Sequence, residues 1–188
     1  IRLDPINVAP LEVGAEYSRS RTVTLPVSFQ ATTAFLIVRS DVNNDVAELS
    51  ESNNVRASDA ITVTPTPAPN LTATVSSVGP SPAVFGEQIT VEWSGQNVGT
   101  APVQGRWSDL IFLSSDDRLG TEDRLLGSLS IDAAPLNPGA PAYVRSSAVM
   151  LPLDLRTFTG DYCILVKADG NHAINELNEN DNVSAFCP

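Results

Sequence analysis

Apolar and polar residues alternate with a period of two through Leu71, Ala73 and Val75 and again through Ile89, Val91 and Trp93, and each run is bounded by Pro, Gly or Asn. Successive side chains of a strand point to opposite faces, so this pattern predicts half-buried strands. Further runs at residues 107–113, 125–131, 143–151, 161–168 and 182–186 bring the count beyond residue 70 to about seven, enough for a two-layer sandwich. No window of helical length places apolar residues at i, i+3, i+4 and i+7 between a cap and a glycine stop, so any helix is expected to be short. The chain is read as all-β.

The pattern also repeats. The segment FLIVRSDVNNDVAELSESNNV (residues 35–55) aligns with CILVKADGNHAINELNENDNV (residues 163–183) at a constant offset of 128, RSRTVTLP (19–26) with RSSAVMLP (145–152) at 126, and APLEVG (9–14) with APLNPG (134–139). The changes of offset are those of loop insertions between two copies of one unit. Nothing in the first copy corresponds to residues 71–113, so residues 1–65 are expected to be the C-terminal half of a sandwich. Residues 66–69 are read as a Pro-rich linker and residues 70–188 as a complete unit. The prolines of TPTPAPN (64–70) fix φ and favour an extended, semi-rigid spacer. A half-sandwich exposes the face its missing strands would cover, so residues 1–65 are expected to associate with a neighbouring chain or to be completed by another fragment.

Charge narrows the partners. With 22 Asp and Glu against 11 Lys and Arg, the formal charge is -11, which repels phosphate backbones and anionic bilayers and argues against nucleic acid. No run approaches the roughly 20 apolar residues of a membrane helix, so membrane insertion is not expected. Residues 1–10 lack the features of a signal peptide, and any targeting signal is expected to lie elsewhere.

The opening PNLTATVSSVGPSPAVFGEQITVEWSGQNVGT (69–100), the central WSDLIFLSSDDRLGTEDRLLGSL (107–129) and the later GDYCILVKADGNHAINELNENDNV (160–183) stand in this order. Together they resemble the CARDB family, the cell-adhesion-related domain found in bacteria, over residues 69–187 as one unit and 1–64 as a truncated one. The resemblance implies immunoglobulin-like or fibronectin-like β-sandwich repeats within large secreted or cell-surface proteins. Their role would be to space or present adhesive surfaces, with neighbouring repeats as the nearest partners and a protein or carbohydrate as ligand. The alternative is a carbohydrate-binding accessory domain of a secreted hydrolase or protease; exposed aromatics would favour it. Fold does not settle the choice.

Trp93 is in phase with Ile89 and Val91, and Trp107 opens the third strand of the unit, so both are read as core residues rather than a ligand platform. Tyr162, after Gly160 and Asp161, is placed like a corner tyrosine that ties a loop to its strand. Cys163 and Cys187 lie on the two strands of the last hairpin, nearly symmetric about Ile174 and Asn175, and their counterparts in the first copy are Phe35 and Asp59. Joint presence in one copy and joint absence from the other suits a disulfide formed in an oxidising compartment, against the other reading of two buried free thiols. The loop so closed would add about 3 kcal/mol.

Catalysis lacks the residues it needs. A Ser-His-Asp triad would have to use His172, the sole histidine, in an acidic loop where the first copy has Asn44. No carboxylate pair stands out for glycoside hydrolysis, no Gly-rich phosphate loop follows a strand, and two Cys with one His do not complete a zinc site. The candidate for ligand chemistry is the acidic hairpin. There Asp169, Asn171, Glu176, Glu179 and Asp181 offer hard oxygens that calcium would take, stiffening the junction with the preceding repeat. The first copy's Asp41, Asn43, Asp45, Glu48 and Glu51 begin like a helix-loop-helix calcium loop, but Val46 stands where the turn glycine belongs and Ser52 where the bidentate Glu belongs. Asp116, Asp117, Glu122 and Asp123 form a second acidic group. Against calcium stands the reading that these residues make Asx turns on solvated loops.

Overall fold

The structure, a computed structural model, describes residues 5–133, 135–153 and 161–188. Residues 1–4 of the first copy, Ala134 at the head of the second APLNPG match and Gly160 before Tyr162 lie outside the described residues. The described residues contain eleven strands and no helix. Four short strands, β1 (Thr33–Ala34), β2 (Ile37–Arg39), β3 (Val55–Ala57) and β4 (Ile61–Thr62), lie in the first copy. Seven longer ones follow: β5 (Leu71–Gly79), β6 (Gln88–Asn97), β7 (Trp107–Ser114), β8 (Arg124–Ile131), β9 (Tyr143–Met150), β10 (Cys163–Lys167) and β11 (Val183–Phe186). Strands β7 to β11 match the expected runs to within a residue or two at their ends, while β5 and β6 each continue four residues past the expected Val75 and Trp93.

The seven form two antiparallel sheets, one of three strands in the order β5-β6-β9 and one of four in the order β11-β10-β7-β8. Three-on-four packing of this connectivity is the immunoglobulin-like sandwich. One core cluster gathers Val75, Ile89, Val91, Trp93, Ile111, Leu113, Val149, Ile164 and Val166; a second, nearer the linker, gathers Leu71, Val103, Trp107, Ile131, Leu136, Tyr143 and Ile174. Each fully buried aliphatic side chain contributes roughly 1.5–3 kcal/mol by leaving water. Ser76 is an extra residue between the pairs Val75↔Trp93 and Ser77↔Glu92. This bulge resets the phase, so Val78 follows Val75 onto the core side of β5. Across the sandwich edge, the Val75 amide donates to the Ser184 hydroxyl (3.0 Å) and ties β5 to β11.

The last hairpin of the first copy has the same strand pairing in a different environment, whereas residues 19–26, aligned with part of β9, form no strand. Ile37↔Ala57, Val38↔Arg56 and Arg39↔Val55 pair in β2–β3, and Leu165↔Ala185, Val166↔Ser184 and Lys167↔Val183 pair in β10–β11, each position displaced by the same 128 residues. Yet Ile37 and Val38 are each 67% exposed while Leu165 and Val166 are fully buried. The difference is what packs on the hairpin: β10 lies between β11 and β7 and faces the β5-β6-β9 sheet, whereas β2 pairs with β3 alone. Phe35, Leu36, Val46, Leu49 and Val55 are likewise exposed.

Candidate functional site

The acidic hairpin between β10 and β11 forms the linker-facing end of the complete unit, and its shape follows from a few polar residues. Asp169 and His172 adopt the left-handed region (φ 45° and 51°), as do Asp41 and Asn44 (41° and 57°) at the matching positions. Asp and Asn are among the non-glycine residues that occupy this region most readily. The Asp169 carboxylate accepts the backbone N–H groups of Ala173 (2.9 Å) and Ile174 (2.8 Å), and Asp41 accepts those of Asp45 (2.8 Å) and Val46 (3.0 Å). A second turn follows, in which Glu179 accepts the Glu176 amide (3.1 Å) as Glu51 accepts that of Glu48 (3.0 Å).

In the complete unit this loop grips the residues that leave the linker. Glu176, 2% exposed, accepts the Leu71 amide through one carboxylate oxygen and the Asn182 side-chain amide (2.8 Å) through the other. The Leu177 amide donates to the Pro69 carbonyl (2.9 Å), and the Asn178 amide to the Asn70 side-chain oxygen (2.9 Å). The Asn70 side-chain nitrogen donates in turn to Asp181 (2.9 Å). From the other sheet, buried Asn97 accepts the amides of Asn70 (3.1 Å) and Gly99 (3.0 Å) and donates to the carbonyls of Ala101 (2.8 Å) and Leu136 (2.9 Å). Ala68 is buried, and its carbonyl accepts the amides of Thr100 (2.8 Å) and Ala101 (3.2 Å). Gly99 makes that approach feasible, since a Cβ there would strike the backbone of Ala68, Pro69 and Asn70. Residues 68 and 69, read as linker from their composition, are thus hydrogen-bonded into the unit.

Beneath this surface lies Asp109, with no solvent exposure. Its carboxylate accepts Trp93 Nε1 (2.8 Å), Trp107 Nε1 (3.1 Å), the Tyr143 hydroxyl (2.8 Å) and the Asp169 amide (3.3 Å). Both tryptophans are buried, Trp93 as its phase and Trp107 as its place at the head of the third strand led one to expect, but they also bind this acid through their indole N–H groups. Gly95 leaves room for the Tyr143 ring, which a Cβ would meet. Sequence reasoning passed over Asp109, Tyr143, Asn97, Asn70 and Asn182. One signal was present for Asp109: in WSDLI it shares the inward phase of Trp107 and Ile111, and an acid there requires donors.

Burial raises three acids. It lifts the pKa of Asp109 despite the lowering effect of its four donors, and lifts Asp169 against the N–H groups of Ile174 and Ala173. Glu176 is pushed up to about 7, first by burial, then by the charges of Glu179 and Asp169, against the Leu71 and Asn182 hydrogen bonds. Burial and the neighbouring Asp109 also raise the Tyr143 phenol.

The five proposed calcium ligands sit on one loop, but their oxygens serve it. Asp169, Glu176, Glu179 and Asp181 accept the hydrogen bonds above, and Asn171 accepts the Ser108 amide (2.7 Å). Among the described residues no group of three or more His, Cys, Asp or Glu is placed to hold a metal ion. Calcium needs six to eight oxygens converging on one point, so this donor set does not fit it. In the second acidic group, Asp116 accepts the Arg118 amide (2.8 Å) and Asp123 the Gly120 amide (2.7 Å), again turn chemistry. His172 lies between Lys167 Nζ (3.1 Å) and Glu179 (3.1 Å) at the surface. Tyr162 packs on the core and meets Phe85 edge-on, with ring centroids 5.3 Å apart. Cys163 and Cys187 form a disulfide with Cα atoms 4.3 Å apart, fastening β10 to the residue after β11.

The CARDB family profile matches residues 2–58 and 68–186. No curated protein matches the chain. Among solved structures, the chain is similar to the CARDB domain of a Pyrococcus furiosus protein in complex with di-metal ions. Identity is 22% over 66% of this chain and 94% of that one, with a TM-score of 0.44. The solution structure of the same domain gives 22% identity over 65% and 94%, with a TM-score of 0.42. A β-glucosidase 3B from Thermotoga neapolitana in complex with glucose is 17% identical over 63% of this chain and 16% of that one, with a TM-score of 0.37.

Proposed function

Because the chain belongs to the CARDB family, whose domains are non-catalytic modules, we propose that it is a structural and interaction module of a secreted or cell-surface bacterial protein, where tandem sandwiches space or present adhesive surfaces. The observation that carries this reading is the anchoring of residues 68–71 by Thr100, Asn97, Glu176, Leu177 and Asn178. The Pro-rich spacer thereby runs into a hydrogen-bonded unit, as the joint of a spacing array requires. The Cys163–Cys187 disulfide supports an oxidising compartment. Burial of Trp93 and Trp107 removes the two largest aromatics from any carbohydrate platform.

In this reading residues 1–65 are the C-terminal half of a second unit, 66–69 the linker and 70–188 the complete unit. The exposed apolar side chains Leu36 and Val38, at the positions of the core residues Ile164 and Val166, then lie on the face that a second sheet would cover, supplied by another fragment or a neighbouring chain. Sedimentation equilibrium on the 188-residue chain tests this assignment. Self-association is expected, and it should vanish when Ile37 and Val38 are changed to Lys. A strictly monomeric chain with a well-ordered first copy would overturn it.

A further inference from the structure

We propose that the end of the first copy's last hairpin, residues 48–54, is a vacant clamp for an extended, uncharged strand opening with Pro-Asn-Leu, taken up as the complete unit takes up its own residues 69–71. This rests on the reading of residues 1–65 as a half-unit, and the part of the absent half that docks there is the start of its first strand. In the complete unit the grip has four points. Glu176 accepts the Leu71 amide, the Leu177 amide donates to the Pro69 carbonyl, the Asn178 amide donates to the Asn70 side-chain oxygen, and Asp181 accepts the Asn70 side-chain nitrogen. At an offset of 128 the first copy places Glu48, Leu49, Ser50 and Asn53. Two of the four points are backbone amides, which either side chain leaves in place, and one keeps its carboxylate. At the fourth, Asn53 offers a neutral oxygen where Asp181 offers a charged one.

The empty loop already has the hydrogen bonds of the occupied one. Asp41 caps two amides as Asp169 does, and Glu51 accepts the Glu48 amide as Glu179 accepts that of Glu176. The Ser40 amide donates to the Asn54 carbonyl (2.8 Å) as the Ala168 amide donates to that of Asn182 (2.9 Å). What the first copy lacks is the strand. Among the described residues the Leu49 and Ser50 amides and the Glu48 carboxylate have no hydrogen-bond partner. Glu48, Val46 and Leu49 are exposed where Glu176 and Ile174 are buried and Leu177 is half-buried. An entering strand therefore meets two donors and an acceptor on a loop that is already ordered, the condition for strand addition with little conformational cost. Asp41, Asp45, Glu48 and Glu51 would repel an acidic occupant. Residues 64–79, which contain the segment clamped in the second copy, carry no charge, and their prolines keep the entry extended.

The test titrates a terminally blocked peptide of residues 64–79 into the isotopically labelled 188-residue chain, diluted until sedimentation finds it monomeric, and follows the amide resonances of Leu49, Ser50, Leu177 and Asn178. The Leu49 and Ser50 resonances are expected to shift saturably while those of Leu177 and Asn178 stay fixed. Glu48→Ala in the chain, at an exposed position, and Asn70→Ala in the peptide should each weaken binding about tenfold. No shift at Leu49 and Ser50 up to millimolar peptide overturns the proposal. So does equal binding by a scrambled peptide or by the Glu48→Ala chain, or a shift confined to Leu177 and Asn178. A chain that self-associates when concentrated but ignores the peptide loses the clamp and keeps the half-unit assignment. A chain that ignores the peptide and stays monomeric at every concentration, with an ordered first copy, loses both.

Discussion

Asp109 shows what a single buried acid requires. Water is replaced by two indoles, a phenol and an amide, so the group is satisfied although burial still raises its pKa. Asp109→Ala would strand three buried side-chain donors as well as the Asp169 amide, each costing about 1–3 kcal/mol. The expected loss is about 3–5 kcal/mol in urea unfolding, after relaxation of the site. Tyr143→Phe removes one donor and keeps the ring against Trp107, so about 1–2 kcal/mol is expected. If Asp109→Ala costs less than about 1 kcal/mol, the network is not what positions the two tryptophans.

At the scale of the element, the hairpin shows a local sequence code that does not depend on its surroundings. Asp41 and Asp169 cap the same two amides in a copy that is exposed and a copy that is buried, so the turn is set by the aspartate and its backbone conformation. Burial of the strands beside it is set elsewhere. The disulfide adds a constraint confined to the second copy, closing a separation of 24 residues. Replacing both cysteines with Ser is expected to lower stability by about 3 kcal/mol, read as a lower urea midpoint with an intact fold at low temperature. Asn97→Ala removes acceptors for Asn70 and Gly99 and donors to Ala101 and Leu136. A loss of about 2–4 kcal/mol is expected. Hydrogen exchange should show residues 70 and 99 losing protection before the strand centres; uniform loss would instead place Asn97 in the global core.

For the whole molecule, the acidic loop is an internal clamp, and stability is expected to be indifferent to calcium. Melting curves with millimolar calcium and with chelator should superimpose, because an ion that bound only the folded state would raise the midpoint by mass action. A calcium-dependent rise would mean that the loop reorganises to free oxygens now engaged by backbone amides. At this scale the two copies also diverge: residues 70–188 have two packed sheets and a buried core, while Ile37 and Val38 of the first copy are exposed.

Strand number, strand positions, the repeat, the buried tryptophans and the cysteine pair were legible in the chain because each rests on spacing: alternation of period two, an offset of 128, and symmetry about a hairpin. Two tertiary facts were not. The acidic residues could equally have bound an ion or capped turns, and only the approach of Pro69, Asn70 and Leu71 to residues 176–182, more than a hundred positions away, assigned their oxygens to the backbone. Asp109 carried the right phase, but its partners come from β6, β7, β9 and the last hairpin. Local pattern sets which way a side chain points; what it meets there depends on contacts between distant segments.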